Sequence, residues 1–363
     1  MNNTHQPVLT INLSAIAENW QRLNSRSRLG SAAVVKANAY GLGMAQCAQT
    51  LRAAGATRFF VATLDEGRAL RDTLGEGVWI GVLEGLSSVE AFDKHSLTPV
   101  LNTLEQVNAW AGRDSATIHV DTGMNRLGLA PDELPEALNS PTWTQAQTAT
   151  LMSHLASAEE PENPSNRDQL ARFQAALATA TAAAAGTRPF TPCFINSSGH
   201  FLGQEFLNVG LGRPGLALYG ANPTPDAVKN PMKPALSLHA PLIQLRTVEA
   251  GAPVGYGGTW TAQRTTHLGV IALGYADGWP RAASDQLSVR LGETLCPQVG
   301  RVSMDTAVLD LTDAPEQARR IGGMVEVIGG DLTLERFAAG SGTITYEILT
   351  SLSRRAKRAY LSQ

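Results

Sequence analysis

The run Ala33-Val34-Val35-Lys36-Ala37-Asn38-Ala39-Tyr40-Gly41-Leu42-Gly43 places a lysine at the end of an apolar, β-branched stretch and follows it with turn-forming residues. The other lysines, Lys94, Lys229, Lys233 and Lys357, lie in polar, proline-flanked or arginine-rich surroundings. An ammonium among apolar neighbours loses hydration, so its pKa falls and the free amine becomes available as nucleophile or base. Schiff-base chemistry requires such an amine. The competing reading is a strand-end lysine that reaches past its neighbours to water.

Further polar residues close apolar runs: His119, Asp121, Arg126, His154, Asn196, Ser197 and Arg213. These runs define the elements that must carry them. From about Asn12 to Tyr219, short apolar segments alternate with helix-period segments, the pattern of βα units around a parallel sheet. Strands are expected at Ala33–Lys36, Phe59–Thr63, Val78–Val82, Leu97–Leu101, Thr117–Asp121, Thr150–His154, Phe194–Asn196 and Leu207–Leu211. Met44, Cys47, Ala48 and Leu51 mark a helix after the first of them, and Leu170, Phe173 and Leu177 a longer one opening near Ser165-Asn166. The alanine run at 182–185 reads as helix rather than linker. Eight units imply a (β/α)8 barrel, in which functional residues gather at the C-terminal ends of the strands; an open doubly wound sheet is the alternative.

Between Ala221 and Pro234 prolines accumulate and the pattern changes to short alternating runs, including Leu236/Leu238, Leu242–Leu245, Leu268/Val270/Ala272 and Val308–Leu311, with turns at Gly255–Gly258 and Gly322-Gly323. The expected organisation is an α/β barrel over 10–228 followed by a mainly β domain over 229–363, with residues 1–9 a candidate extra strand for the latter.

Several chemistries are disfavoured. Gly210-Leu211-Gly212-Arg213-Pro214-Gly215 matches Gly-x-Gly-x-x-Gly, yet Pro223 and Pro225 leave no room for a long helix behind it, so a dinucleotide site is not expected; a phosphate on the N–H groups near Gly215, or a plain tight turn, remains. No Gly-x-Ser-x-Gly elbow occurs, and the seven histidines lack metal-ligand spacing. A formal charge of −3 gives no footprint for nucleic acid or anionic membrane. Three widely spaced cysteines, a polar amino-terminal stretch and no apolar run of membrane-spanning length lead to the expectation of a cytoplasmic protein with small-molecule substrates or a second copy as partner.

Taken together the motifs resemble the alanine racemase family over nearly the whole chain. The resemblance rests on Val35-Lys36-Ala37-Asn38-Ala39-Tyr40-Gly41, Asp121-Thr122-Gly123-Met124-Asn125-Arg126-Leu127-Gly128, Ser153-His154, Asn196-Ser197-Ser198, Arg213-Pro214-Gly215, the segments Val254–Trp260 and Gly274–Arg281, and Gly300-Arg301-Val302-Ser303-Met304-Asp305. It implies pyridoxal 5′-phosphate (PLP) in a fold type III barrel, with Lys36 as the internal aldimine lysine. It further implies a homodimer whose β domain closes the partner's site. By the same resemblance Tyr40, Ser197, Gly215, Leu216 and Tyr346 hold the phosphate, Arg213 faces the pyridine nitrogen, and His154 links that arginine to the catalytic tyrosine. The resemblance also implies Lys36 and Tyr256 of the other subunit as bases on opposite faces, with Arg126 and the Met304 backbone amide from the partner holding the substrate carboxylate. The implied reaction is interconversion of L- and D-alanine, a source of D-alanine for peptidoglycan precursors.

Two positions depart from the family pattern. His119 stands where many members carry a carbamylated lysine, so a bound anion, or neutral His119 accepting a hydrogen bond, is expected to face Arg126; a buried structural histidine is the alternative. Ser303 replaces the cysteine that many relatives have before Met304. Competing functions are a PLP-binding regulatory protein without turnover, which would lack the second domain with Tyr256 and Met304, a racemase of broader specificity, and a decarboxylase or aldolase on the same fold.

Overall fold

The structure, a computed structural model, describes residues 6–183, 190–225, 229–352 and 355–362. The last two alanines of the 182–185 run therefore lie outside the described residues. The chain divides into two compact units, Ala15–Lys233 on one hand and Met1–Ser14 with Pro234–Gln363 on the other.

In the first unit eight strands pair in strict chain order, each parallel to the next: β2 (Ala33–Val34), β3 (Arg58–Val61), β4 (Trp79–Val82), β5 (Thr98–Leu101), β6 (Ser115–His119), β7 (Thr148–Met152), β8 (Phe190–Ile195) and β9 (Leu211–Gly212). A parallel bridge between Ser31 and Gly212, with Ala32 N–H on Gly212 O (2.8 Å) and Val34 N–H on Pro214 O (3.1 Å), joins the last strand to the first. The sheet is thus a closed (β/α)8 barrel, in which edge strands disappear. Most strand residues are buried, as a sheet covered on both faces demands.

The intervening helices follow their apolar spacing. The helix Met44–Ala53 buries Met44, Cys47, Ala48 and Leu51, and the helix Ser165–Ala183 buries Leu170 and Phe173. The helix Leu64–Leu74 is started by Thr63, whose hydroxyl accepts from Glu66 N–H, and carries Asp65 and Glu66 in its first turn, where the helix dipole favours negative charge. One expectation needs correction: Leu207 does not open a strand but closes the helix Gln204–Leu207, and pairing begins only at Leu211. The approach through Gly210 explains the delay, since a Cβ there would collide with the Pro192 carbonyl, so only the bare backbone comes alongside β8.

The second unit is built on β10 (Leu236–Val248), a single bulged strand where two shorter apolar runs were read. Its first half pairs with β1 (Val8–Asn12) and with the strand Met324–Ile328, its second half with Thr266–Ile271, which continues to Ala307–Asp310. β1 also pairs in parallel with the strand Lys357–Leu361. Alternation places Leu9 and Ile11 in the core while their neighbours face outward. Among the described residues no helix is long and apolar enough to cross a membrane.

Candidate active site

Lys36 follows β2 directly and opens an unusual turn. Ala37, Asn38, Ala39 and Tyr40 all have φ between 51° and 55°, one full turn of left-handed helix without a glycine. Such a conformation costs L-residues about 1–2 kcal/mol each. It is closed internally by Ala39 N–H to Val35 O (2.9 Å) and Gly41 N–H to Ala37 O (2.8 Å), and outside by Met44 N–H to the Asn38 side-chain oxygen (2.8 Å). Lys36 is half-buried; burial, then the nearby Arg126 and Arg213 cations, lower its pKa, while Glu66 acts in the opposite sense.

Arg213, beyond β9, is 5 % exposed. Its terminal nitrogens donate to Cys193 Sγ (3.0 Å), Ser153 O (2.6 Å) and His154 Nδ1 (3.1 Å). No carboxylate pairs with it among the described residues, so its charge stays uncompensated and Nε–H is left without a described partner. Because a guanidinium only donates, Nδ1 of His154 must be the lone-pair nitrogen, and a neutral ring then carries its proton on Nε2. Burial, followed by Arg213, holds the His154 pKa well below the usual histidine range. Gln169 fixes this corner, donating to His154 O (2.8 Å) and to Thr122 Oγ1 (3.2 Å), whose hydroxyl meets that of Ser153 at 2.8 Å.

A second cluster follows β8 and β9. The buried Ser197 hydroxyl accepts from Gly215 N–H (3.1 Å) and Ala217 N–H (3.2 Å), which orients its own O–H outward as a donor. A Cβ at Gly215 would collide with the Tyr40 hydroxyl, so glycine is what lets that phenol approach. Tyr40 lies against Tyr219, ring centroids 5.0 Å apart, and Tyr219 donates to Val34 O (2.9 Å). Phenol, serine hydroxyl and the Leu216 N–H at the start of the 3-10 turn Leu216–Tyr219 are donors suited to a phosphate.

On β6, His119 Nδ1 lies 2.8 Å from the Asn102 side-chain oxygen, and burial pushes its pKa down to about 4. Neutral His119 therefore donates from Nδ1 and keeps a lone pair on Nε2. Asp121 is spent locally: its carboxylate accepts from the N–H groups of Gly123, Met124 and Asn125 at 2.9 Å each, shaping the loop that carries the exposed Arg126. Asn196 is likewise structural, accepting from Gly199 N–H (2.9 Å). Among the described residues no three His, Cys, Asp or Glu side chains form a metal cluster.

The remaining predicted residues belong to the other unit. Tyr256 stands at a turn with positive φ at Gly255, Gly257 and Gly258 and is 68 % exposed; Met304 is 54 % exposed. The Met304 loop is braced by Ala276 N–H to Met304 O (3.0 Å) and by Arg355, which bridges Asp277 and Asp305. Tyr346 is half-buried on the helix Thr345–Ser351. Sequence reasoning missed Glu66, whose carboxylate meets Ala37 N–H (2.6 Å) and Ala62 N–H (2.8 Å). Its signal was present as Thr63-x-x-Glu66, the spacing of a capping box.

The model of the alanine racemase N-terminal domain matches residues 11–223 and that of the C-terminal domain residues 235–360. The chain belongs to the alanine racemase family. Among family relatives, the alanine racemase of Acidiphilium cryptum is 45% identical over 99% of both chains, and the catabolic alanine racemase of Agrobacterium fabrum is 45% identical over 97% of this chain and 92% of its own. Alanine racemase of Bartonella henselae, solved with covalently bound pyridoxal phosphate, superposes with a TM-score of 0.90 at 37% identity, covering 98% of this chain and 99% of that one. The biosynthetic alanine racemase of Pseudomonas aeruginosa gives 0.87 at 33% identity, covering 99% and 100%.

Proposed function

We propose that the chain interconverts L- and D-alanine with PLP as cofactor, acting as a cytoplasmic homodimer. The observation that carries this reading is Arg213: a buried cation with only neutral partners, one of them His154, close enough to Lys36 to depress its amine, within the alanine racemase fold.

The residues fit the cofactor. Tyr40, Ser197, Gly215 and Leu216 would hold its phosphate, and Arg213 Nε–H would face its ring nitrogen. Bound PLP draws electron density from the substrate's Cα and so acidifies its Cα–H. Inversion then needs a proton acceptor and donor on each face. The Lys36 Nζ, its pKa lowered above all by burial, takes or returns the proton on one face; the Tyr256 hydroxyl of a second copy does so on the other. A tyrosine pKa of about 10 calls for hydrogen-bonding help near neutral pH, and the Nε2–H of neutral His154 supplies it. A fixed arginine at the ring nitrogen disfavours protonation there, which limits charge flow into the ring and side reactions such as transamination.

Arg126 and the Met304 amide of a second copy would hold the substrate carboxylate through charge-assisted bonds. The lone pair of His119 Nε2 would accept from Arg126 in place of the carbamate. Exposure of Tyr256, Tyr275 and Met304 supports a second copy covering this face, and the buried free cysteines Cys47, Cys193 and Cys296 fit a reducing compartment.

The test is to incubate protein, PLP and L-alanine in D2O, following optical rotation and deuterium at Cα. Loss of rotation with deuterium incorporation is expected. A PLP-loaded dimer that inverts nothing would reject the racemase in favour of a non-catalytic carrier; larger amino acids inverting faster would reject alanine as the preferred substrate.

A further inference from the structure

Thr63 and Glu66 have the spacing of a capping box, yet only half of one forms. Thr63 accepts from Glu66 N–H (3.2 Å) as the motif requires. The Glu66 carboxylate does not turn back to the Thr63 N–H; one oxygen accepts from Ala62 N–H at the end of β3, the other crosses to Ala37 N–H beside Lys36. Ala37 is the first residue of the left-handed turn, and its N–H is an orphan donor that the turn itself cannot satisfy. Glu66 therefore caps a left-handed turn from a neighbouring right-handed helix.

We propose that Glu66 is a positioning residue for Lys36, its two-pronged carboxylate tying the strained turn at Ala37 to the end of β3 and so fixing where the Lys36 amine stands. This deepens the racemase reading and rests on it for its effect on turnover. A turn of four non-glycine left-handed residues persists only where its surroundings over-determine it. Backbone bonds hold Val35, before the lysine, to Phe60 O and Ala39 N–H; the side-chain ties at Asn38 and Tyr40 act further along the turn, leaving Glu66 as the side-chain tie nearest the lysine. Its charge also matters: Arg126 and Arg213 press the Lys36 amine toward neutrality and Glu66 opposes them.

Glu66→Gln, near in shape, turns an amide N–H2 toward one of the two N–H donors and so breaks that prong. Three readouts are expected to move: exchange of the Ala37 and Ala62 amides speeds up, kcat for alanine inversion falls about 10- to 100-fold with KM changed less than about threefold, as loss of a charged hydrogen bond allows, and the pH profile of Lys36 acylation in PLP-free protein, read on its peptide by mass spectrometry, moves to lower pH. Glu66→Asp keeps the charge but not the reach; exchange and kcat should follow Glu66→Gln while the acylation profile stays nearer wild type. Thr63→Ala removes the helix cap and leaves both Glu66 bonds in place, so all three readouts should stay within about twofold. Wild-type behaviour of both Glu66 variants, or the same losses in Thr63→Ala, would overturn the proposal. If the wild-type protein inverts no alanine, the racemase reading fails by itself, and exchange and acylation still decide the role of Glu66.

Discussion

At the scale of single residues, the site is a set of donors and one amine whose pKa is lowered, above all by burial. If Lys36 and Tyr256 are the two bases, Tyr256→Phe should retain the cofactor's visible absorption while inversion falls by at least about a hundredfold, general acid–base groups being worth that much. Lys36→Ala should lose both; normal inversion by Tyr256→Phe would remove the second base. Gly215→Ala tests the phosphate cradle from the side of shape. Its methyl must displace the Tyr40 hydroxyl, and PLP affinity measured by fluorescence titration should drop about tenfold or more, a loss of the size expected for one charged hydrogen bond. Unchanged affinity would mean that the Tyr40 hydroxyl takes no part.

At the scale of elements, the left-handed turn yields a prediction of opposite sign. Ala37 is exposed with φ 51°, so Ala37→Gly should relieve strain and raise stability by about 1 kcal/mol in urea unfolding, less glycine's own entropic cost. A lower stability would show that the strain is already relaxed. Histidines supply a pH test. Burial above all holds His119 and His200 down to about 4, whereas the unfolded chain titrates them near 6.5. Between these values the unfolded state binds more protons, so stability falls as pH falls through that window and levels below it, by about 3 kcal/mol for each histidine. Urea midpoints that do not drop between pH 7 and pH 5 would contradict this burial. The same elements show what was readable beforehand. The helix at Met44 was legible because period alone sorts its buried side, and the barrel because apolar runs and helices alternate. A turn after Lys36 was legible, but its left-handed geometry was not, since Ala37–Tyr40 carry no glycine and two of the contacts that hold them, from Glu66 and Tyr219, are remote in sequence. The chemistry at Lys36, Arg213 and His154 stood out because charged or polar groups ended apolar strands; Asp121 and Asn196 shared that signal and proved to serve the backbone.

At the scale of the whole molecule, a site that draws Lys36 from one copy and Tyr256 from another predicts complementation. Mixing Lys36→Ala with Tyr256→Phe protein and re-pairing the subunits should restore about a quarter of wild-type sites, since half the dimers are mixed and each mixed dimer owns one intact site. No recovery after demonstrated subunit exchange would place both bases in one chain.

The pairing of β1 reaches beyond the finished fold. Residues 8–12 leave the ribosome ahead of the barrel, yet their parallel neighbour at 357–361 is made roughly 350 residues later, about 20–70 s at ordinary translation speeds. Through that interval the barrel segment can be completed while the ribbon bearing Leu9 and Ile11 has at most its antiparallel neighbour β10 and keeps one edge open, so a segment made before the barrel is fully secured only after it. Nascent chains stalled just short of residue 357 should thus leave that one edge open to chaperones and proteases, however well the barrel has already closed.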